Sequence, residues 1–416
     1  MPPTVSDSEA AKRSVSATGS GTGRARRVGL LIFSNGWGGM EIHAATLARL
    51  LAARGHEVVI AELGDSFFAR RGEFDASRGV RVESADLWRP IRRAGFLRSW
   101  RYLRGLRPDV VVLVKGWTAV GGLSLDLAAR LACPRFMTIE QLAPPPRPAF
   151  QRGRHVGGLV PGLGLWWFRH QVSVYARSVG PRRIVGVSRA VTRELAAYGF
   201  PVRKLVTVPN GIDAERYRRS PADRETVRAA WGVPADALLF GTVGRLARPH
   251  KGQDIALILL ARFRQRLPGC AFRYVLVGDG PDRAALEAQA VELGLAGHVI
   301  FAGHTERAWE VYSAIDVLLM PSRIEGTPFA LLEAMACECC PIAMGVAGIP
   351  DVISDPGIGW VISPGDQEGF LAAMEAAACA GEAERRAMGQ RAREQIARHF
   401  RADENFARLA DLIEEL

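Results

Sequence analysis

The chain of 416 residues has no apolar run approaching the roughly 18 residues needed to cross a bilayer. Its first 27 residues, rich in Ser, Ala, Gly and Arg, lack the apolar segment of a secretory signal. They read as a disordered tail, and the protein as cytoplasmic. Cysteine is scarce, with six in all, and Cys337, Cys339 and Cys340 crowd together. They show neither the two-residue spacing nor the companion histidines of a zinc site, so they read as reduced core thiols. No carboxylate cluster calls for a metal, and none is expected. The dinucleotide fingerprint G-x-G-x-x-G is missing too: Gly36 and Gly38 are followed by Gly39 and then Glu41, which argues against a dehydrogenase. A nucleic-acid docking element is also lacking, so no nucleic-acid partner is expected, although the charge alone would permit one.

What is present points to a large α/β protein. Hydrophobic residues make up 48% of the chain, and its length suits two domains of roughly 150 to 200 residues. An excess of 54 Lys and Arg over 43 Asp and Glu gives a net charge of +11, and the isoelectric point is near 9.9. This balance attracts phosphates and other anions. Short runs rich in Val, Ile and Leu at 28–33, 57–60, 109–114, 135–139 and 184–187 alternate with helical patterns, and a second set follows at 238–243, 272–277, 299–301, 316–320 and 341–344. Such runs read as buried parallel strands joined by crossover helices. The expected fold is two Rossmann-like, doubly wound domains facing across a cleft, at 28–210 and 235–392. The polar segment 211–234, broken by Pro221 and Pro234, reads as a linker, and 393–416 as a C-terminal helix that packs on one domain or the other.

Three motifs carry chemistry. In PSRIEGTPFALLEAM (321–335) a strand turns at Gly326 into a helix, with Thr327 as expected N-cap and Pro328 at the first helical position. This leaves the amides of Phe329 and Ala330 at the positive end of the helix, where a phosphate is held best. Glu325 and Glu333 bracket that end; as carboxylates they repel phosphate and suit hydroxyl donors of a sugar or ribose. In GTVGRLARPHKGQD (241–254) Arg245 and Lys251 stand six residues apart beside a glycine turn, and two cations there suit a diphosphate leaving group. In FSNGWGGMEIHAATLARLL (33–51) the glycines let backbone approach a ligand closely.

On these residues the chain resembles a GT-B fold glycosyltransferase of family 4, a retaining family, from Val28 to about Phe400. The likeness adds GGME (38–41), VGVSRAVTREL (185–195), VPNGID (208–213), VGDGPDR (277–283), AGIPDVI (347–353) and SPGD (363–366) to the pair Glu325 and Glu333. It implies that Arg245 and Lys251 hold the donor diphosphate without a metal. It also implies that Glu333 binds the ribose, that Glu325 contacts the transferred sugar, and that Gly39 brings amides to the phosphates from the opposite domain. Gly326, Thr327, Phe329 and Ala330 complete the donor site; Glu140 and Asn210 are candidates for the sugar and acceptor side. Many relatives have a histidine after the strand at 135–139 where this chain has Glu140-Gln141, and glycine where it has Glu338; the latter reads as a local surface variation. The implied activity is transfer from a nucleotide-diphosphate sugar to a hydroxyl acceptor with retention, in lipid-linked glycan, lipopolysaccharide or polysaccharide synthesis. A nucleotide-sugar epimerase is the alternative on the same fold.

Two stretches lie outside that site. Residues 87–107 carry seven arginines and no acidic residue, with Phe96, Trp100 and Leu103 on one helical side and Arg98, Arg101 and Arg104 on another. Such a helix lies on the anionic inner leaflet or packs on its own domain with a solvated face. Residues 144–170 mix arginine with Trp166, Trp167 and Phe168, and suit an acceptor site for a carbohydrate or lipid-linked acceptor.

Overall fold

A computed structural model describes residues 24–32, 38–62, 68, 74, 76–85, 93–116, 122–142 and 180–416. The turn at 33–37, most of the proposed tail and the aromatic stretch 144–170 lie outside the described residues. The chain divides into two units: unit 1 holds the residues up to Val187, Val191–Val208 and Ala402–Leu416, and unit 2 holds Ser188–Ala190 and Pro209–Arg401.

Unit 1 is built on seven strands: β1 Arg27–Ile32, β2 Glu57–Glu62, β3 Val80–Ser84, β4 Val110–Lys115, β5 Phe136–Glu140, β6 Arg183–Gly186 and β7 Leu205–Thr207. They pair in the order β3-β2-β1-β4-β5-β6-β7, and every pairing is parallel. The helices are α1 Gly39–Ala53, α2 Arg93–Leu106, α3 Gly122–Ala132 and α4 Arg189–Ala197. Buried residues of α2 and α3 pack with Leu31, Val59, Val111 and Leu113 in one core. The central strands are buried along their length because helices cover both faces, which is why they read as unbroken apolar runs.

Unit 2 repeats the plan with β8 Leu238–Val243, β9 Phe272–Val277, β10 Val299–Gly303, β11 Val317–Met320, β12 Cys340–Met344 and β13 Trp360–Ile362, in the order β10-β9-β8-β11-β12-β13. Its helices are α5 Pro221–Ala230, α6 Arg248–Lys251, α7 Gln253–Arg266, α8 Arg283–Glu292, α9 Ala308–Ala314, α10 Phe329–Ala336, α11 Ile349–Val352, α12 Gln367–Cys379 and α13 Glu382–His399. Alternate strand residues separate into two cores. Phe240, Tyr274, Leu276 and Leu319 pack with α7, α8 and α12, whereas Leu239, Val275, Val277 and Leu318 pack with α9, α10 and α13. Cys337, Cys339 and Cys340 are free thiols within these cores, as expected.

The structure corrects three boundary expectations and bears out one of the two readings of the basic stretch. Arg26 and Arg27 belong to the fold rather than to a tail: the Arg26 amide donates to His56 Nδ1 at 3.2 Å and Arg27 opens β1. The segment expected as a linker holds α5, capped by Ser220, whose hydroxyl accepts from the Asp223 amide at 3.2 Å. Arg224 and Arg228 of α5 both pair with Asp316, at 2.7 and 3.2 Å, so α5 is fastened to unit 2. The expected single C-terminal helix is two: α13 ends at His399, and α14 Ala402–Glu414 belongs to unit 1. There Arg54 binds Asp411 at 2.7 Å and Glu414 at 3.1 Å. Finally, the apolar side of the basic stretch is spent internally: Leu103 and Leu106 are buried and Phe96 and Trp100 pack beside them, leaving Arg98, Arg101, Arg104 and Arg107 exposed.

Candidate functional site

Strand order reverses between β8 and β11 in unit 2, and the crevice outside the carboxyl ends of strands at such a reversal is where ligands bind in doubly wound sheets. These two strands are hydrogen-bonded neighbours, and the segments that leave them are the two motifs singled out above. Arg245 and Lys251 follow β8, and Glu325 to Glu333 follow β11.

Glycines allow the packing of these loops. Gly252 is left-handed, with φ of 67°, and a Cβ there would lie 2.1 Å from the Pro321 carbonyl oxygen, so only glycine lets Lys251 come up against the opening of the 321–328 loop. The Arg323 amide then donates to the His250 carbonyl at 2.8 Å. As a result Lys251 Nζ lies 2.8 Å from Glu325 Oε1. The carboxylate is buried and the ammonium half-buried. Arg245 is exposed, and its carbonyl accepts from the fully buried Gln253 at 2.9 Å. A cavity of about 10 Å³, lined in part by Lys251, Gln253, Ser322 and Glu325, lies beneath.

Helix α10 starts one residue later than expected. Pro328, with φ of −72° and ψ of 124°, is its N-cap in place of Thr327. Proline fixes the extended turn that Thr327 was expected to provide. The first amides with helical partners are those of Leu331 and Leu332, which reach the Pro328 carbonyl, so Phe329 and Ala330 have no partner within the helix. The approach is braced at its back. Buried Asn210 donates from Nδ2 to the Thr327 carbonyl at 2.8 Å, and the Gly348 amide donates to the Gly326 carbonyl at 2.8 Å. Asn210, a candidate for the acceptor side, therefore supports the 321–328 loop with its amide.

Glu333 lies one turn into α10 and is buried. Its Oε2 accepts from the Tyr312 hydroxyl at 2.9 Å, and the Tyr217 ring packs beside that of Tyr312 with centroids 6.5 Å apart. Burial pushes this carboxyl above its usual range, only partly opposed by the two phenols and Arg216. Sequence reasoning missed Tyr312, Tyr217 and Gln253. Tyr312 sits in an apolar pattern that signals core alone, and only the fold brings it to Glu333.

The arrangement is a pair of cations, two carboxylates and free amides around one strand reversal, which suits a diphosphate joined to hydroxylated rings. Two family descriptions match the chain: Glycosyl transferases group 1 over residues 223–395 and Glycosyltransferase Family 4 over residues 37–216. The chain belongs to the GT-B glycosyltransferases of family 4.

Among curated relatives of this glycosyltransferase, 2-deoxystreptamine glucosyltransferase of Streptomyces kanamyceticus is 32% identical over 191 residues, covering 44% of this chain and 49% of the relative. D-inositol 3-phosphate glycosyltransferase of Saccharomonospora viridis is 36% identical over 177 residues, 40% of each chain. The glycosyltransferase thus spans about half the length, or less, of these relatives. Two-domain structures match it more fully. Anabaena Alr3699/HepE in complex with UDP and glucose aligns with a TM-score of 0.74 at 20% identity, over 94% of this chain and 100% of that one. WaaG, involved in lipopolysaccharide biosynthesis, aligns with a TM-score of 0.71 at 21% identity, over 93% and 99%. These likenesses establish the fold.

The two remaining candidates of the glycosyltransferase lie in unit 1. Gly39 is the exposed first residue of α1, after Gly38, and has no partner within the helix for its amide. Glu140 ends β5, buried, opposite Lys115 of β4 in the strand register. Lys115 Nζ lies 2.8 Å from Asp126, and burial would lower its pKa, but Asp126 and Glu140 together raise it. At the end of β5 this chain therefore has a carboxylate beside a buried ammonium.

Proposed function

We propose that this glycosyltransferase moves a sugar from a nucleoside-diphosphate sugar to a hydroxyl acceptor with retention of configuration. The observation that carries the reading is the Lys251–Glu325 pair at 2.8 Å, set where β8 and β11 part and beside the partnerless amides of α10. Lys251 and Arg245 neutralise the diphosphate, and they stabilise it more as the bond to the sugar breaks and negative charge collects on the leaving oxygen. The amides of Phe329 and Ala330 take a phosphate oxygen at the positive end of the helix. Glu325 accepts from a hydroxyl of the transferred sugar, and Glu333 from the ribose. Because diphosphate and carboxylate compete for Lys251, donor binding redistributes this cation between them.

In a front-face reaction, the route to retention that needs no covalent glycosyl-enzyme, the bond from the anomeric carbon to the diphosphate oxygen breaks and the leaving group takes the electron pair. The acceptor oxygen attacks the same face, and its proton passes to the departing diphosphate. No protein base is needed, and the cations carry the load that a metal carries elsewhere. Structures with this fold include one in complex with UDP-glucose, and a Mycolicibacterium smegmatis relative is a GDP-mannose-dependent mannosyltransferase acting on a phosphatidylinositol monomannoside. By analogy the acceptor is a lipid-linked or soluble carbohydrate.

Thermal shift with UDP, GDP and ADP, run beside Glu333→Ala, tests the donor class. A ligand at 100 times its Kd adds roughly 2.7 kcal/mol to the native state. Stabilisation of the wild type by one nucleotide, lost in the variant, supports the reading; no stabilisation by any of the three removes its main support. Conversion of the free nucleotide sugar with no acceptor present would favour an epimerase instead.

A further inference from the structure

A carboxylate that binds ribose hydroxyls must stay ionised in a buried site and must keep lone pairs facing the ligand. Burial opposes the first requirement, since it raises the Glu333 pKa above the usual value of 4.5. The two tyrosines meet both. Tyr312, fully buried on α9, donates to Glu333 Oε2 at 2.9 Å. Tyr217, half-buried ahead of α5, packs beside Tyr312 with ring centroids 6.5 Å apart and edge-on against Trp309 with centroids 6.3 Å apart, which puts a second phenol next to the one that holds Glu333. Burial, reinforced by the neighbouring Glu333 charge, pushes both phenols far above their ordinary range, so each is a permanent donor.

We propose that Tyr312 and Tyr217 are positioning residues of the donor site, holding the Glu333 carboxylate ionised and oriented so that its remaining lone pairs take the hydroxyl pair of a ribose. This rests on the nucleotide reading above.

The surroundings make Glu333 the group to watch. From the stretch before α5 come Tyr217, Arg216, whose guanidinium stacks 4.5 Å over the Trp309 ring, and Arg219 near the thiols. From α9 comes Tyr312; from α10 itself comes Cys337, kept as a thiol by burial. From α13 comes Arg393, which donates to the carbonyls of Ala214, Tyr217 and Ala336. Strands β11 and β12 contribute apolar side chains such as Leu318 and Ala343. Burial raises the phenols and the thiol named here above their ordinary ranges, so they stay protonated between pH 5 and 8. The carboxylate binds hydroxyls when ionised, so affinity rises with pH through the Glu333 pKa. Loss of a phenol donor moves that rise to higher pH.

The test measures the Kd of UDP, GDP and ADP between pH 5 and 8 for wild type, Tyr312→Phe, Tyr217→Phe and Glu333→Gln. The 2′,3′-dideoxy form of whichever nucleotide binds is measured in parallel. Each Tyr→Phe change removes one oxygen and keeps the ring. The expected result for Tyr312→Phe is about tenfold weaker ribonucleotide binding at pH 7, with a deficit that narrows as pH rises and no deficit for the dideoxynucleotide. Glu333→Gln should bind weakly and keep only the pH dependence that the nucleotide's own terminal phosphate, which titrates at about 6, gives to every variant. Affinity and pH profile unchanged in both tyrosine variants overturn the inference. Equal losses with ribose and dideoxyribose ligands also overturn it, since they show a merely structural role. If Tyr312→Phe melts too early to assay, Tyr217→Phe carries the same comparison. If the wild type binds none of the nucleotides, the donor-site reading itself fails and takes the inference with it. A wild type that binds normally beside indifferent tyrosine variants sinks the inference alone.

Discussion

Glu338 follows the C-cap of α10 with φ of 62°, a left-handed conformation that costs an ordinary side chain and suits glycine. The expectation of a surface variation without a role is refined here: Glu338 is half-buried and sits where a glycine would end the helix that carries Glu333 without strain. Replacing Glu338 with Gly should stabilise unit 2 by about 1 kcal/mol, or roughly 2–4 °C in melting temperature. A melting scan showing no gain would mean the strain is relieved locally. At Lys251 the scale is kinetic. Lys251→Ala should lower kcat by about 10²- to 10³-fold, as for a lost electrostatic stabiliser. Weaker donor binding with an unchanged kcat would show that the cation serves the ground state alone. Arg245, Lys251, Glu325 and Glu333 were legible in sequence because glycine turns and the step from strand to helix mark them. Tyr312 and Tyr217 were not, because a buried hydroxyl donor leaves the same apolar pattern as any core aromatic.

At the scale of elements, the ten strands expected from apolar runs all form, whereas β3, β7 and β13 were not legible. Each of the three edges its sheet, and β7 and β13 have only three residues each. An edge strand is covered less completely and needs no continuous apolar run. The destination of α14 was equally hidden, since its pattern fits either unit. It buries Phe406, Leu409, Ala410 and Ile413, and ionic contacts add to that face: burial raises the Glu414 pKa, but hydrogen bonds from His56 and Arg54 outweigh this and hold it below 4.5. A depressed carboxyl pKa contributes stability above the unfolded value and loses it as pH falls through the folded one. Unit 1 should therefore lose part of its stability as pH drops below about 4.5, and Glu414→Gln should flatten that slope in acid melting curves. A variant with an unchanged slope would assign the acid sensitivity elsewhere.

For the whole molecule, the net charge of +11 and the exposed arginines of α2 are what remain of the membrane reading. Phe96 and Trp100 pack inside the unit and are unavailable as interfacial anchors. No described helix is long and apolar enough to cross a membrane. Contact with a bilayer is therefore proposed as electrostatic. Vesicles with anionic lipid should pellet the protein more than neutral ones, and about 0.5 M salt should abolish the difference. Equal pelleting with both would end the proposal. Catalysis without a metal predicts that EDTA leaves turnover unchanged; a loss restored by a divalent cation would assign part of the charge neutralisation to a metal. By itself the sequence determined the two parallel sheets and the site-bearing segments, because buried strands, glycine turns and helix starts depend on local pattern. The tertiary structure alone decided what meets across that pattern. The Lys251–Glu325 pair, the phenols on Glu333, the bracing by Asn210 and the return of α14 join residues far apart in the chain, and spacing within one segment does not encode distance between segments.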